Sequence, residues 1–106
     1  MDTLPFQKDY NFKNIQEINL KEFKIRKKLD IFISTDFSEK SYFIIYIEQK
    51  SRFLQKDANK IEEIFSLVSN SLQINFDNKI IYIVSPLCSK AKKKLEDLGW
   101  CCKNIQ

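Results

Sequence analysis

The chain of 106 residues contains no histidine. This absence excludes Ser-His-Asp and Cys-His catalysis, and it excludes every metal site that depends on a histidine ligand. General acid and base chemistry must therefore come from carboxylates, lysines, tyrosines or a metal ion. The chain also holds a single glycine and two prolines, so tight turns have few of their usual residues.

The sequence has few soft metal ligands and no long apolar run. The three cysteines, Cys88, Cys101 and Cys102, form no Cys-x-x-Cys pair, and their odd number does not indicate a disulfide framework. No run of about 18 apolar residues is present, which predicts no transmembrane helix. The N-terminus lacks the basic and apolar segments of a secretory signal. We therefore expect a cytoplasmic protein with no membrane partner.

Length and composition predict one soluble domain over residues 1–106. A hydrophobic fraction of 43% is enough for a core. Eighteen Lys and Arg residues face fourteen Asp and Glu residues, for a net charge of +4. This mild excess favours a polyanionic partner without requiring one.

The first half of the chain predicts an antiparallel hairpin. Residues 1–14 show no period and are interpreted as an arm, and residues 15–26 fit either a helix or an edge strand. Residues 29–34 and 42–48 are rich in Ile, Phe and Tyr and are predicted strands. Their short polar connection indicates that they pair as a hairpin.

The second half predicts a crossover unit. Apolar residues at spacings of three and four indicate a helix over 57–72. A buried strand follows over 79–84, and Ser89 and Gly99 are the expected cap and stop of a second helix. Whether residues 100–105 form a last strand stays undecided from the sequence. The pattern predicts an α/β fold with a small mixed sheet flanked by helices, its core spanning about 28–100.

Acidic residues occur at one end of the predicted sheet. Glu48 ends its strand, and Lys50 shares its face if the strand runs straight through Gln49. Asp30 neighbours this pair across the hairpin. Two carboxylates and the backbone carbonyl of Gln49 supply the hard oxygen ligands that Mg²⁺ prefers. The lysine can stabilise charge that develops on a phosphate.

Asp30 followed by Glu48-Gln49-Lys50 resembles the PD-(D/E)XK motif of the restriction-endonuclease-like nucleases. The region from Lys28 to Trp100 is similar to Mrr-type nuclease domains, and Glu48 to Arg52 resembles the site of archaeal Holliday-junction resolvases. The resemblance implies a DNA endonuclease that uses Mg²⁺ or Mn²⁺. It assigns the metal to Asp30 and Glu48, and assistance in phosphodiester hydrolysis to Lys50.

The chain departs from this family in several places. Leu29 stands where the family often has proline. The family's additional acid has two candidates, Glu17 and Glu22, and the choice stays open. Neither Gln55, before the helix, nor Asn59, within it, aligns clearly with the family's helical glutamine.

Further basic residues are candidates for nucleic-acid binding, namely Arg52, Lys90, Lys92 and Lys93. The alternative for the lysines is a solvated surface. Two other functions remain open: a non-catalytic nucleic-acid- or protein-binding domain on the same fold, and an unrelated α/β interaction protein. A homodimer or a larger nuclease complex is also compatible with this length.

Overall fold

The computed structural model of the chain describes residues 12–25 and 28–105. Within these ranges the elements are β1 (Phe12–Glu17), β2 (Asp30–Asp36), β3 (Ser41–Glu48), α1 (Gln55–Leu72), β4 (Asn78–Val84), α2 (Ser89–Asp97) and β5 (Trp100–Asn104). The strands form one mixed sheet in the order β1-β2-β3-β4-β5. This architecture confirms the predicted α/β class. It also shows that the undecided segment 100–105 contains a strand, β5.

The N-terminal part of the sheet differs from the sequence-based expectation. Strand β1 begins at Phe12, inside the segment 1–14 interpreted as an arm, and residues 1–11 lie outside the described residues. The ambiguous segment continues as strand to Glu17 and then forms a 3-10 turn over Leu20–Phe23. β1 is a strand because it pairs antiparallel with β2. This pairing depends on the neighbouring strand, so the sequence of β1 itself shows no strand periodicity.

Strands β2 and β3 form the predicted hairpin, which closes without glycine. Glu39 takes the left-handed conformation there, at φ 64°. The Asp36 carboxylate accepts hydrogen bonds from the amides of Ser38, at 2.8 Å, and Lys40, at 3.0 Å. A side-chain acceptor that holds the turn amides thus replaces the usual turn residues.

Two parallel crossovers follow the hairpin. β3 pairs in parallel with β4 through α1, and β4 pairs in parallel with β5 through α2. Helix α2 begins one position earlier than predicted, because Cys88 is the N-cap and Ser89, the expected cap, is the first helical residue. Gly99 follows the helix at φ 93° and ends it as expected.

The sheet has two different faces. Both helices pack on one face, where the strand residues Ile31, Phe43, Ile45, Ile47, Ile81 and Ile83 join Ile61, Val68 and Leu95 of the helices. The other face holds a smaller buried cluster of Phe32, Ile44, Ile80 and Tyr82. Asp30 and Glu48 alternate with helix-side residues and therefore lie on this second face.

The topology also defines two ends of the sheet. The site end is formed by the carboxyl ends of β3 and β4 and the first residue of β2. The opposite end holds the β2–β3 turn and the first residues of β4 and β5. No helix within residues 12–25 and 28–105 is long and apolar enough to cross a membrane.

Candidate metal and nucleic-acid site

The hairpin register brings Asp30 and Glu48 together. Asp30 pairs directly with Tyr46, and Glu48 lies two residues beyond Tyr46 on the same strand. Residues in this relation are diagonal neighbours on one face, about 7–8 Å apart. Both side chains are exposed. The register is therefore the one that a shared site requires.

Tyr46 links the two carboxylates electrostatically. Burial of the phenol, followed by the negative charges of Glu48 and Asp30, raises the pKa of Tyr46. Both charges thus act on the same hydroxyl group. Tyr46 is half-buried between two acids that themselves remain open to solvent.

A bend in the chain after Glu48, rather than strand alternation, sets the position of Lys50. β3 ends at Glu48, and the chain bends at Lys50, so the expected straight strand does not continue through Gln49. Glu48 and Lys50 nevertheless line one open cleft of about 1000 Å³, together with Lys28, Gln49, Val84, Ser85 and Pro86. Asp30 is not among the described residues that line it.

Backbone hydrogen bonds hold the two loops that form this cleft. The amide of Gln49 donates to the carbonyl of Val84 at 3.1 Å, and the amide of Phe53 donates to Pro86 at 2.8 Å. The Asn104 side chain donates to the carbonyls of Ile83 and Ser85, each at 2.9 Å. The loop after β3 is therefore fastened to the loop after β4, which restricts the positions of Glu48 and Lys50.

The side chain of Gln49 is engaged within its own loop. Its amide nitrogen donates to the carbonyl of Ser51 at 3.1 Å and lies 3.4 Å from the Ser51 hydroxyl. The predicted contribution of Gln49 to a metal site is its backbone carbonyl, which this side-chain contact leaves unchanged.

The side chains of the two acids and the lysine have no partner among the described residues. Those of Asp30, Glu48 and Lys50 make no hydrogen bond or ion pair with any residue that the structure describes. Carboxylate and carbonyl oxygens are hard ligands and fit Mg²⁺, which keeps several of its waters. Within the described part of the chain, no three Asp, Glu or Cys side chains gather as a metal-binding group.

Glu17 is better placed than Glu22 as an additional acid. It ends β1 opposite Phe32, so it lies on the same face and at the same end of the sheet as Asp30. Its side chain is exposed and lines a separate shallow pocket beside Ile18. Glu22 lies in the 3-10 turn, off the sheet.

The predicted nucleic-acid-binding residues divide into two groups. Arg52 and Lys90 lie near Cys88, whose thiol pKa is lowered by the amides of Ala91 and Lys90 and then by the charges of Arg52 and Lys90. These two cations therefore belong to the site end, where α2 begins.

Lys92 lies farther from the site. Burial and the charge of Glu96 raise the pKa of Cys102 to about 11, and Lys92 opposes this rise, so Lys92 lies toward β5. Lys93 is exposed on α2. Helix α2 runs away from the site end, so its successive lysines are increasingly distant from Glu48.

Sequence reasoning missed two residues of this region, Lys28 and Tyr46. Tyr46 could have been found by alternation, because it lies two residues before Glu48 on the same strand. Lys28 precedes β2, where strand alternation does not apply, and only the structure shows that it lines the cleft.

Comparison with known proteins identifies the fold but no family. No protein-family model matches the chain, and no curated protein matches it. The structure is similar to that of the nuclease EndoMS in apo form, with a TM-score of 0.58 and 11% sequence identity. The similar region covers 92% of this chain and 38% of that chain. The chain therefore shares the α/β fold of that structure, and its five-stranded mixed sheet with two helices is compatible with the restriction-endonuclease-like architecture.

Proposed function

We propose that the chain is a metal-dependent DNA endonuclease that hydrolyses phosphodiester bonds. The observation that carries this proposal is the register that sets Asp30 and Glu48 as diagonal neighbours on one face. Lys50 shares a cleft with Glu48, and the fold is nuclease-like. The resemblance of these residues to the PD-(D/E)XK motif supports the same function.

Each residue has a distinct role in this proposal. The carboxylates of Asp30 and Glu48, with the backbone carbonyl of Gln49, would hold Mg²⁺ or Mn²⁺. The bound ion would polarise the phosphoryl group and lower the pKa of a coordinated water. The ammonium of Lys50 would stabilise negative charge that develops on the phosphoryl oxygens. Among the described residues these side chains have no hydrogen-bond or ion-pair partner, which supports roles toward a ligand.

DNA is the proposed substrate because basic residues surround the acids. Lys28 and Lys50 line the cleft, and Arg52 and Lys90 lie where α2 begins beside the adjoining loop. Cations in this arrangement attract a phosphate backbone without reading its sequence. The chain spans 38% of the EndoMS chain, so a larger complex or a homodimer remains part of the proposal.

A cleavage assay with matched variants tests the function. Linear, nicked and branched DNA would be incubated with the protein in Mg²⁺, in Mn²⁺ and in EDTA. We expect cleavage only with metal, and a loss of at least about 100-fold in Glu48→Gln and in Lys50→Ala, since each removes a group of the reaction. Glu63→Gln is the matched control, because Glu63 is an exposed glutamate of α1 that lies 4.0 Å from Lys60 and does not line the cleft. Equal cleavage by Glu48→Gln and Glu63→Gln would refute the proposed site.

A non-catalytic nucleic-acid-binding module is the second candidate. It is favoured by the absence of a three-ligand acidic group among the described residues. DNA binding without cleavage in either metal would select this alternative. Neither binding nor cleavage would instead indicate an α/β interaction protein.

A further inference from the structure

Lys28 lies in the same cleft as Glu48 and Lys50, although no motif includes it. The hairpin register pairs Asp30 with Tyr46. Lys28 lies two residues before Asp30, at a bend just outside β2, and lines the cleft together with Glu48. Leu29 is buried in the helix-side core, whereas Lys28 and Asp30 on either side of it are exposed.

Among the described residues that line the cleft, positive side chains outnumber negative ones. The charged ones are Lys28, Glu48 and Lys50. Lys28 is exposed and makes no hydrogen bond or ion pair with a described residue. An ion pair with Glu48 would be the simplest structural role for Lys28. No pair between them occurs within 4.0 Å among the described residues.

We propose that Lys28 binds a phosphate of the DNA backbone beside the reacting phosphodiester and acts as a substrate-binding residue. This inference rests on the proposed nuclease function and extends its site to the first turn before β2. Lys50 follows Glu48 on the same strand connection, whereas Lys28 approaches from the neighbouring strand. The two lysines therefore reach the cleft from different strands and can contact successive phosphates of one DNA strand.

A binding measurement separates this role from a role in the reaction. Fluorescence anisotropy of labelled duplex DNA would be measured in Mg²⁺ over a series of salt concentrations, in the non-cleaving Glu48→Gln background. Removal of one phosphate contact lowers the salt-dependence slope by about 0.9. We expect Lys28→Ala to show this change, with affinity about 5- to 10-fold weaker at low salt. Lys28→Arg should keep the slope, because it retains the charge.

Lys60→Ala is the matched control. Lys60 is an exposed lysine on α1, 4.0 Å from Glu63, and it does not line the cleft, so its removal changes net charge equally outside the proposed site. A slope for Lys28→Ala equal to that of Lys60→Ala would overturn the inference.

Steady-state cleavage in the otherwise unchanged protein gives an independent readout. We expect Lys28→Ala to raise KM while kcat stays within about twofold, in contrast to Lys50→Ala, which lowers kcat. A fall in kcat with unchanged KM would overturn the binding role of Lys28. Failure of the unmodified protein to bind and cut DNA would instead refute the proposed function, so the two failures are distinguishable.

Discussion

The carboxylates at the two ends of the sheet differ in what they contact. At the opposite end, Asp36 accepts hydrogen bonds from two turn amides and from the Tyr42 hydroxyl, at 2.8, 3.0 and 2.9 Å. Asp77 accepts from the amide and hydroxyl of Ser41. Within the described part of the chain, Asp30 and Glu48 at the site end have no such partners.

A second group of charged side chains with protein partners, centred on Lys79, also lies at the opposite end of the sheet. Lys79 lies 3.2 Å from Glu62 and donates to the carbonyl of Leu98 at 2.7 Å. Its ammonium also lies 4.5 Å from the ring centre of Phe65 and 4.9 Å from that of Trp100. These charged groups at the opposite end hold the fold, whereas the side chains of Asp30, Glu48 and Lys50 make no hydrogen bond or ion pair with a described residue.

The first prediction concerns Asp30 and Asp36, which are the first and last residues of β2. Asp30→Asn should lower cleavage by at least about 100-fold, equivalent to about 2.7 kcal/mol of barrier, because it removes a proposed metal ligand. Its unfolding free energy should change by no more than about 0.5 kcal/mol. Asp36→Asn should keep kcat and lose stability. Urea unfolding and the cleavage assay measure both, and equal effects of the two variants on cleavage would break the comparison.

The second prediction concerns Lys79. Lys79→Met should destabilise the fold by about 2 kcal/mol, since it removes a partly buried ion pair, a charged hydrogen bond and two cation–π contacts. Cleavage at a temperature where the variant is folded should be unchanged. Chemical denaturation provides the measurement, with Lys60→Met as the surface control. A destabilisation equal to that of Lys60→Met would show that the cluster is not stabilising.

The third prediction uses metal as the probe of the site end. Mg²⁺ at ten times its Kd should stabilise the folded chain by about 1.4 kcal/mol, because it binds the folded state alone. Thermal unfolding should then shift upward by roughly 5 °C or more. Glu48→Gln should abolish the shift, and NaCl at matched ionic strength should not reproduce it. An equal shift in Glu48→Gln would place the metal elsewhere.

The fourth and smallest effect is the acid dependence of Asp36. Hydrogen bonds from the amide of Lys40, the Tyr42 hydroxyl and the amide of Ser38 lower the pKa of Asp36 from 3.8, against the effect of burial. The folded state therefore favours the charged form. The resulting stability is present above pH 3.8 and is lost as pH falls through the lower folded pKa.

Unfolding measured between pH 5 and the acid limit tests this effect. Asp36→Asn should show a shallower loss of stability with acid than the unmodified chain. The effect should be small because solvent screens an exposed carboxylate. Identical acid curves for the two proteins would contradict the proposed hydrogen-bonded state of Asp36.

Local pattern predicted most elements of the fold. The spacing of Ile61, Ile64 and Val68 predicts a helix because burial of one helix face requires that period. The apolar runs in β3 and β4 predict central strands because both faces of these strands are buried. The sequence did not predict β1 from Phe12, because this edge strand depends on its pairing with β2. Pairing between strands cannot be read from the sequence of one segment.

The candidate site was predictable to a different extent for each residue. Glu48 and Lys50 are fixed near each other by covalent spacing, although a bend rather than a straight strand joins them. Asp30 depended on the hairpin register, which the sequence alone could only suggest. Lys28 was missed because no local motif relates it to residues 20 positions later in the chain.

The sequence by itself determined the class of chemistry, through the lack of histidine and the acidic and basic residue types available. It also determined most strands and helices, since hydrophobic periodicity is a local property of the chain. Only the tertiary structure decided which charges have partners and which share a cleft. Such relations depend on strand register and loop contacts between residues distant in sequence, and Asp36 and Asp30, alike in sequence, differ for that reason.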